Sequence, residues 1–524
     1  MGEESVSAEL QSVSAWLQSI EDELKRKESY GSFSSALVGH SIFRVPKQLK
    51  EVNPLAYEPL VVAIGPYKKS RKLQPSVTES FIRISAAKIL LPLQHLGPDD
   101  FQTFVHRIVG DQFAMEKLAM QYERLPVYNE DALRALFTLD ASFVTCFLVY
   151  LGYGDVRRPG YFPSTASGLA RELGRRVLSD FKIPKRLVTS ILRDLFLFEN
   201  QIPLSLVKGV MSSIMGAGVE KDRSMLKAEK GDGNEDKEEG EEEFLGMCIE
   251  GVMRCVNPFQ LDLMEEERSM PHCIIHRHTH LLDCLYSAVT MDGGDDRVVR
   301  SRVQSTVGMR GIEMQGGVHA REVEARMGVP TAVESAIHLR RAGISFKASR
   351  PTNGCASSNV LAIWFDKASA TLYLPHVNIS QESEAILRNL AVYEMVALQR
   401  TEVGSYLALM DDLIDTAQDV QVLRLSGVLE HSLRNDEEVA ELWNGMCKNL
   451  QMLYETTTLA EAYAAIKEHL CRRMRYKKLW ELYAEFSNRY LSAPWLTASV
   501  LAATTLLVLT ITQTFYSAAI YYKS

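Results

Sequence analysis

At 524 residues the chain has room for about three ordinary domains or one large domain with insertions. Its 46% hydrophobic and 24% charged residues exclude a wholly disordered chain and supply ample material for a core. Lys and Arg number 58 against 66 Asp and Glu, a net charge of −8, which argues against a dedicated nucleic-acid binder with its basic domain or stripe.

Residues 1–35 read as a soluble amphipathic helix, Ala8 to Lys25, followed by a Gly/Ser-rich joint at Tyr30–Ser35. No apolar signal core is present there. Met1-Gly2 lacks the Ser or Thr that a myristoylation motif wants at position 6, where Val6 stands. Residues 36–218 form the first part of a helical body. Pro46, Pro54, Pro59, Pro66 and Pro75 break any long helix near its start, and Gly65-Pro66 closes a short apolar run. Apolar spacing then predicts helices, among them Ala132–Leu151 and Leu187–Asn200.

Residues 219–243 are too polar to bury and lack aromatics, so they read as an acidic, disordered insertion. The helical body resumes over 244–290, and 291–328 reads as a glycine-rich flexible loop. The last part, 329–490, opens with a helix over Val333–Arg341. Strands at Gly343–Lys347, Ala362–Phe365 and Thr371–Leu374 surround a turn at Asp366–Ser369. Helices follow at Ser383–Arg400, Ser405–Asp415, Ala417–Leu425, Asp436–Leu453 and Leu459–Tyr490. The fold class is therefore mainly α: a multi-helix body with a small β element, acidic and Gly-rich insertions, and a C-terminal transmembrane helix. The eight cysteines are scattered without a Cys-x-x-Cys pair and read as buried free thiols.

The transmembrane expectation rests on residues 491–524, an anchor with a short tail. No charge occurs from Leu491 to Tyr522, and Trp495–Ile520 spans 26 residues. At about 1.5 Å per residue such a helix crosses a hydrocarbon core of roughly 30 Å. Leu506, Leu507 and Val508 lie in its middle, and Trp495 and Tyr516 take positions suited to aromatic anchors. The competing reading is a buried core helix, favoured by six threonines and Gln513. Lys467, Arg472, Arg473, Arg475, Lys477, Lys478 and Arg489 precede the span and Lys523 follows it, so the positive-inside rule puts the body in the cytosol. Outward exposure stays open, because long domains obey that rule poorly. The lipid bilayer is thus one expected partner.

Phosphate-loop, nucleophile-elbow, zincin, EF-hand and kinase patterns do not occur. The metal candidate is His272, His276, His280 and Cys284, which share one face of a helix at four-residue spacing; the alternative is a packed or capping His280. Glu199-Asn200-Gln201-Ile202-Pro203 closes the apolar run Leu195–Phe198. Polar residues there satisfy backbone groups at a helix end, with Pro203 suiting the next first turn. The catalytic alternative makes Glu199 a general acid or base with Asp140 or Asp194. Lys68-Lys69-Ser70-Arg71-Lys72 is a basic turn, and Asn378-Ile379-Ser380 the one glycosylation sequon.

The same residues carry a family likeness. Ile42-Phe-Arg44-Val-Pro46, Asn53-Pro-Leu-Ala-Tyr57-Glu-Pro59, Gly65-Pro66-Tyr67 and Asp194–Pro203 are similar to blocks of the plant family called domain of unknown function 247. So are His280–Asp283, Ala342–Lys347, the stretch holding Asn389 and Glu394, Leu413–Asp415 and Pro494-Trp495. Where that family usually has two histidines and a glycine after Gly-Pro-Tyr, Lys68, Lys69 and Ser70 stand here. The usual Asp-Gly-Cys-Phe is Asp140-Ala-Ser-Phe143. The resemblance implies a plant protein with a helical body, a single C-terminal anchor, no known enzymatic activity and no cofactor. Some grass members look like pollen-side determinants of self-incompatibility, which implies an unidentified protein partner, stigma-side or in the membrane, and no nucleic acid. The expected function is recognition or signalling at a membrane; the alternatives are an enzyme with a pocket near Glu199 and a cytosolic-face scaffold.

Overall fold

The computed structural model describes residues 41–69, 77–94, 96, 100–110, 112–123, 125, 129–153, 168–223, 235–259, 278–290, 334–349, 360–448, 459–473 and 494–521. The first half is a helix assembly: α1 (Lys47–Val52), α2 (Val77–Leu90), α3 (Phe101–Val109), α4 (Gln112–Ala119), α5 (Glu130–Tyr153), α6 (Gly168–Asp180), α7 (Lys185–Leu195), α8 (Leu204–Arg223) and α9 (Glu235–Val256). At its centre stands α5, packed by α2, α3, α6, α8 and α9. The stretch Glu130–Gly152 is long and apolar enough to cross a membrane, yet 83% of its most apolar window is buried inside the protein. A helix apolar on every side is stable in water only when other helices cover it. Its few polar groups are satisfied internally, with Thr138, Ser142 and Thr145 each donating to the carbonyl four residues back at 2.7–2.9 Å. Helices α5 and α9 nearly touch, since a Cβ at Gly152 would lie 2.5 Å from the Cys248 Cα.

After α10 (Leu281–Thr290) and α11 (Ala336–Arg341) the chain forms β1 (Ser345–Ser349), β2 (Trp364–Asp366), β3 (Thr371–Pro375) and β4 (Val377–Ile379). The first three make one sheet in the order β1-β3-β2, with β1 parallel and β2 antiparallel to the central β3. Then come α12 (Ser383–Tyr393), a π-helical turn Glu394–Leu398, α13 (Glu402–Leu413), α14 (Ala417–Leu425), β5 (Leu429–His431) and α15 (Asp436–Met446). Strand β5 pairs in parallel with β4. Trp443 is fully buried and meets Tyr406 edge-on at 6.3 Å. Residues 459–473 are helical, and α16 covers Pro494–Tyr521. Buried side chains from Ile42 to Ile466 form one continuous core.

The mainly helical expectation with a small β element holds. Helix Ala417–Leu425 has the expected bounds, sealed by a reciprocal Thr416–Asp419 capping box. Three local readings change. The acidic insertion is no single disordered feature: 219–223 end α8 and 235–243 begin α9. Glutamates are good helix formers and suit a helix N-terminus. Helix Leu187–Asn200 stops at Leu195, and Ser383–Arg400 ends its α-helix at Tyr393. Strands β4 and β5, three residues each, carried no readable alternation. The N-terminal helix, the flexible loop 291–328, Ser70, Arg71 and Lys72 of the basic turn, and positions 474–490 lie outside the described residues.

Candidate functional site

The early termination of α7 explains the Glu199–Pro203 block. Asn200 Nδ2 donates to the Asp194 carbonyl at 2.8 Å, and Gln201 Nε2 donates to the carbonyls of Leu195 and Leu197 at 2.7 and 2.8 Å. These side chains take the orphan carbonyls a helix end leaves behind. Pro203 follows immediately and precedes α8 at Leu204.

The same block clamps the proline-rich segment 42–67, far away in sequence. Asn200 Oδ1 accepts the Ile64 amide at 2.6 Å while its Nδ2 also donates to the Val62 carbonyl at 3.0 Å. Asp194 accepts the amides of Leu60, Val61 and Val62 at 2.7–3.0 Å. Burial pushes the Asp194 carboxyl up, and the three amides and Arg193 pull against that. Arg193, 2.9 Å from Asp194, reaches the carbonyls of Glu58 and Leu55. Glu199 accepts the Val45 amide at 2.8 Å and pairs with Lys50 at 2.6 Å. From α12, Asn389 accepts the Phe198 amide at 2.8 Å and donates to the Ala56 carbonyl at 2.8 Å.

Gly65 sits at the centre of the clamp. Its φ is +70°, and an added Cβ would stand 2.7 Å from the Gln201 carbonyl oxygen. Its amide donates to Asp140 at 2.9 Å, and Asp140 pairs with Arg83 at 3.1 Å. Arg83 also pairs with Glu79 at 3.0 Å and donates to the Ala63 carbonyl. Thus Asp140 keeps a backbone role although its neighbours depart from the family pattern. Pro66 starts the single turn Pro66–Lys69. Tyr67 is buried, donates to the carbonyls of Ile42 and Glu123, and carries the Arg44 guanidinium 4.9 Å above its ring. Pro46 is the residue before α1. Tyr57 is buried, and burial pushes its phenol up against the opposing charge of Arg388.

Behind the clamp a cavity lined by Ile64, Val144, Asn200, Gln201 and Leu281 offers about 10 Å³ to the centre of a water molecule, room for about one. Every carboxylate the sequence offered as an acid or base, Glu199, Asp140 and Asp194, is bonded to main-chain amides.

A second buried network lies around Glu394, where the π turn is closed by Gln399 at φ 53°. Glu394 accepts Tyr286 Oη at 2.9 Å and the amides of Val403 and Gly404 at 2.9 and 2.8 Å, so it caps α13. Burial pushes its carboxyl up to about 8, with Glu402 adding to the shift. Tyr393 donates to Asp283 at 2.8 Å and meets His280 edge-on at 5.1 Å.

His280 is fully buried. Its Nδ1 accepts the Asp283 amide at 3.1 Å, which leaves the proton on Nε2, 3.1 Å from the Ser41 carbonyl. Burial lowers it to about 4. Both nitrogens are spent on the backbone, so His280 is the packed, capping histidine, and no metal-holding group of three or more His, Cys, Asp or Glu exists among the described residues. Cys284 is a buried thiol; His272 and His276 lie outside the described residues.

Of the anchor positions, Leu506, Leu507, Val508 and Tyr516 are 61–65% exposed on α16. Trp495 belongs to the same helix, but its side chain lies outside the described residues. Sequence reading missed Lys50, Arg83 and Arg193. Each shares its helix with at least one other cation, a solvated role is the usual one for such residues, and nothing local marks it.

The fold and the clamp define a mainly helical protein whose proline-rich N-terminal segment is bolted to its core by buried polar side chains. The chain belongs to the family DUF247, described as plant protein of unknown function, which it matches over residues 42–509. It is similar to the UPF0481 protein At3g02645 of Arabidopsis thaliana, 26% identical across 91% of this chain and 89% of that protein. A second Arabidopsis UPF0481 protein, At3g47200, is 22% identical across 90% of this chain and 85% of the relative. No solved structure matches it.

Proposed function

We propose that this chain is a membrane-anchored plant protein that acts by recognising another protein. The observation that carries the membrane half is α16. Its 28 residues extend about 42 Å at 1.5 Å per residue, enough for a hydrocarbon core of roughly 30 Å. From Leu501 to Tyr516 every side chain is exposed, so among the described residues none covers this apolar surface. The recognition half is supported by the clamp. Its polar groups serve the backbone, so the block Asp194–Pro203 acts as a scaffold and a partner is sought on the outer surface. The narrower reading, a pollen-side self-incompatibility determinant with a stigma-side partner, draws on family likeness alone. By the charge rule the body faces the cytosol.

Topology is the test. The N-terminus is tagged, the chain is expressed in plant protoplasts, and external protease is applied to intact cells. Survival of the tag until permeabilisation supports a cytosolic body and an intracellular partner. Cleavage, with glycosylation at the exposed Asn378, puts the body outside and makes surface recognition the working mode. Extraction by carbonate removes the anchor, and a pulldown with no saturable partner removes recognition. The enzyme reading is favoured only if Glu199→Gln folds normally and abolishes the cellular phenotype.

A further inference from the structure

We infer that one end of the body is a docking face for anionic lipid headgroups, built from the outer side of the three-stranded sheet and the basic end of α11. Register places Lys347, Tyr373 and Trp364 side by side across β1, β3 and β2. Lys347 is exposed, Trp364 is 42% exposed, and the Trp364 and Tyr373 rings stack at 4.7 Å and 9°. The other side of the sheet is core: Phe346 and Leu372 are buried, and Phe365 meets His469 edge-on at 5.9 Å. An exposed, stacked tryptophan beside lysine has the chemistry of a membrane interface, where an aromatic ring lies among headgroups and a cation meets phosphate.

Further cations gather at the same end. Arg340 and Arg341 close α11 and are exposed. Arg473 donates to the carbonyl of Ala342, the next residue, which fixes the 459–473 helix against α11. Lys367, in the turn between β2 and β3, and Arg472 both pair with Glu468, at 2.7 and 2.9 Å. Glu468 so shared and Asp366, at the end of β2, offset two of the six cations Arg340, Arg341, Lys347, Lys367, Arg472 and Arg473, so the local balance stays positive on a chain whose net charge is −8. The position selects lipid over other polyanions. Residue 473 is joined to Pro494, the start of the apolar α16, by 20 residues, which span at most about 70 Å. The basic, aromatic end is therefore the end leashed to the anchor.

The inference rests on the anchor reading, and the test separates the two. The full chain is reconstituted in phosphatidylcholine discs with and without phosphatidylserine, and amide exchange is followed. With phosphatidylserine, residues 343–349 and 364–375 should exchange about tenfold more slowly, while α5 is unchanged. Each cation removed should lower the docking equilibrium constant about five-fold, so Arg340→Gln, Arg341→Gln and Lys347→Gln together, about a hundred-fold, should erase the protection. Equal exchange in the two discs, or protection kept in the triple variant, overturns the face alone. Protection by soluble RNA or an acidic polypeptide, and none by the discs, also overturns it. Carbonate extraction, run beside it, removes the anchor reading and this inference together.

Discussion

Replacing Asn200 by alanine tests the clamp most directly. The side chain makes three hydrogen bonds, to Ile64, Val62 and Asp194, and is 1% exposed. Its removal strands one amide and two carbonyls in a region where water has little room. Each stranded group costs about 1–3 kcal/mol, and the low end gives about 3 kcal/mol in all. That is a large fraction of a typical folding stability of 5–15 kcal/mol. Hydrogen exchange reads it at the site, since the Ile64 amide donates to Asn200 Oδ1 at 2.6 Å. At 1.4 kcal/mol per decade, its exchange should accelerate roughly 150-fold. Asn200→Asp sets a buried carboxylate oxygen against the Val62 and Asp194 carbonyls, so it should destabilise at least as much as alanine does. An acceleration below about five-fold, under 1 kcal/mol, would refute the clamp and reopen a binding or catalytic role for this block.

Three further outcomes follow from the same geometry. Gly65→Ala should destabilise by about 2 kcal/mol or more, because a left-handed φ of +70° is joined to a 2.7 Å approach to the Gln201 oxygen; an unchanged denaturation midpoint would show that this turn can relax. Glu394 is raised from 4.5 to about 8, so the folded state holds its proton more tightly than the unfolded one. The stability this contributes is complete below pH 4.5 and lost as pH climbs through about 8; Glu394→Gln should flatten that decline in urea midpoints, and parallel profiles would contradict it. His280 is lowered from 6.5 to about 4, so its contribution is present above pH 6.5 and lost as pH falls through about 4; His280→Gln should remove this loss, which an unaltered acid limb would disprove.

Local spacing was enough to place α5, α7 and the helices from α11 onward, because a 3.6-residue apolar period reflects one face buried against a core. It found the helix at Ala417–Leu425 and the turn between β2 and β3, where Asp366 caps the amides of Ala368 and Ser369. It also singled out Glu199, Asn200 and Gln201 as polar residues closing an apolar helix, and ordered blocks sufficed to identify the family. Local spacing could not show where α7 stops, because Asn200 and Gln201 compete for carbonyls that a continuing helix would use.

Tertiary structure decided what those polar residues hold. The bonds from Asn200 to Ile64 and from Asn389 to Ala56 span 136 and 333 residues, and no local period encodes a partner so distant. It decided the fate of two long apolar helices as well. α5 is enclosed by its neighbours, while the side chains of α16 from Leu501 to Tyr516 lie bare. Composition measures what a segment would bury, and only the packing of the rest of the chain determines whether anything is there to bury it.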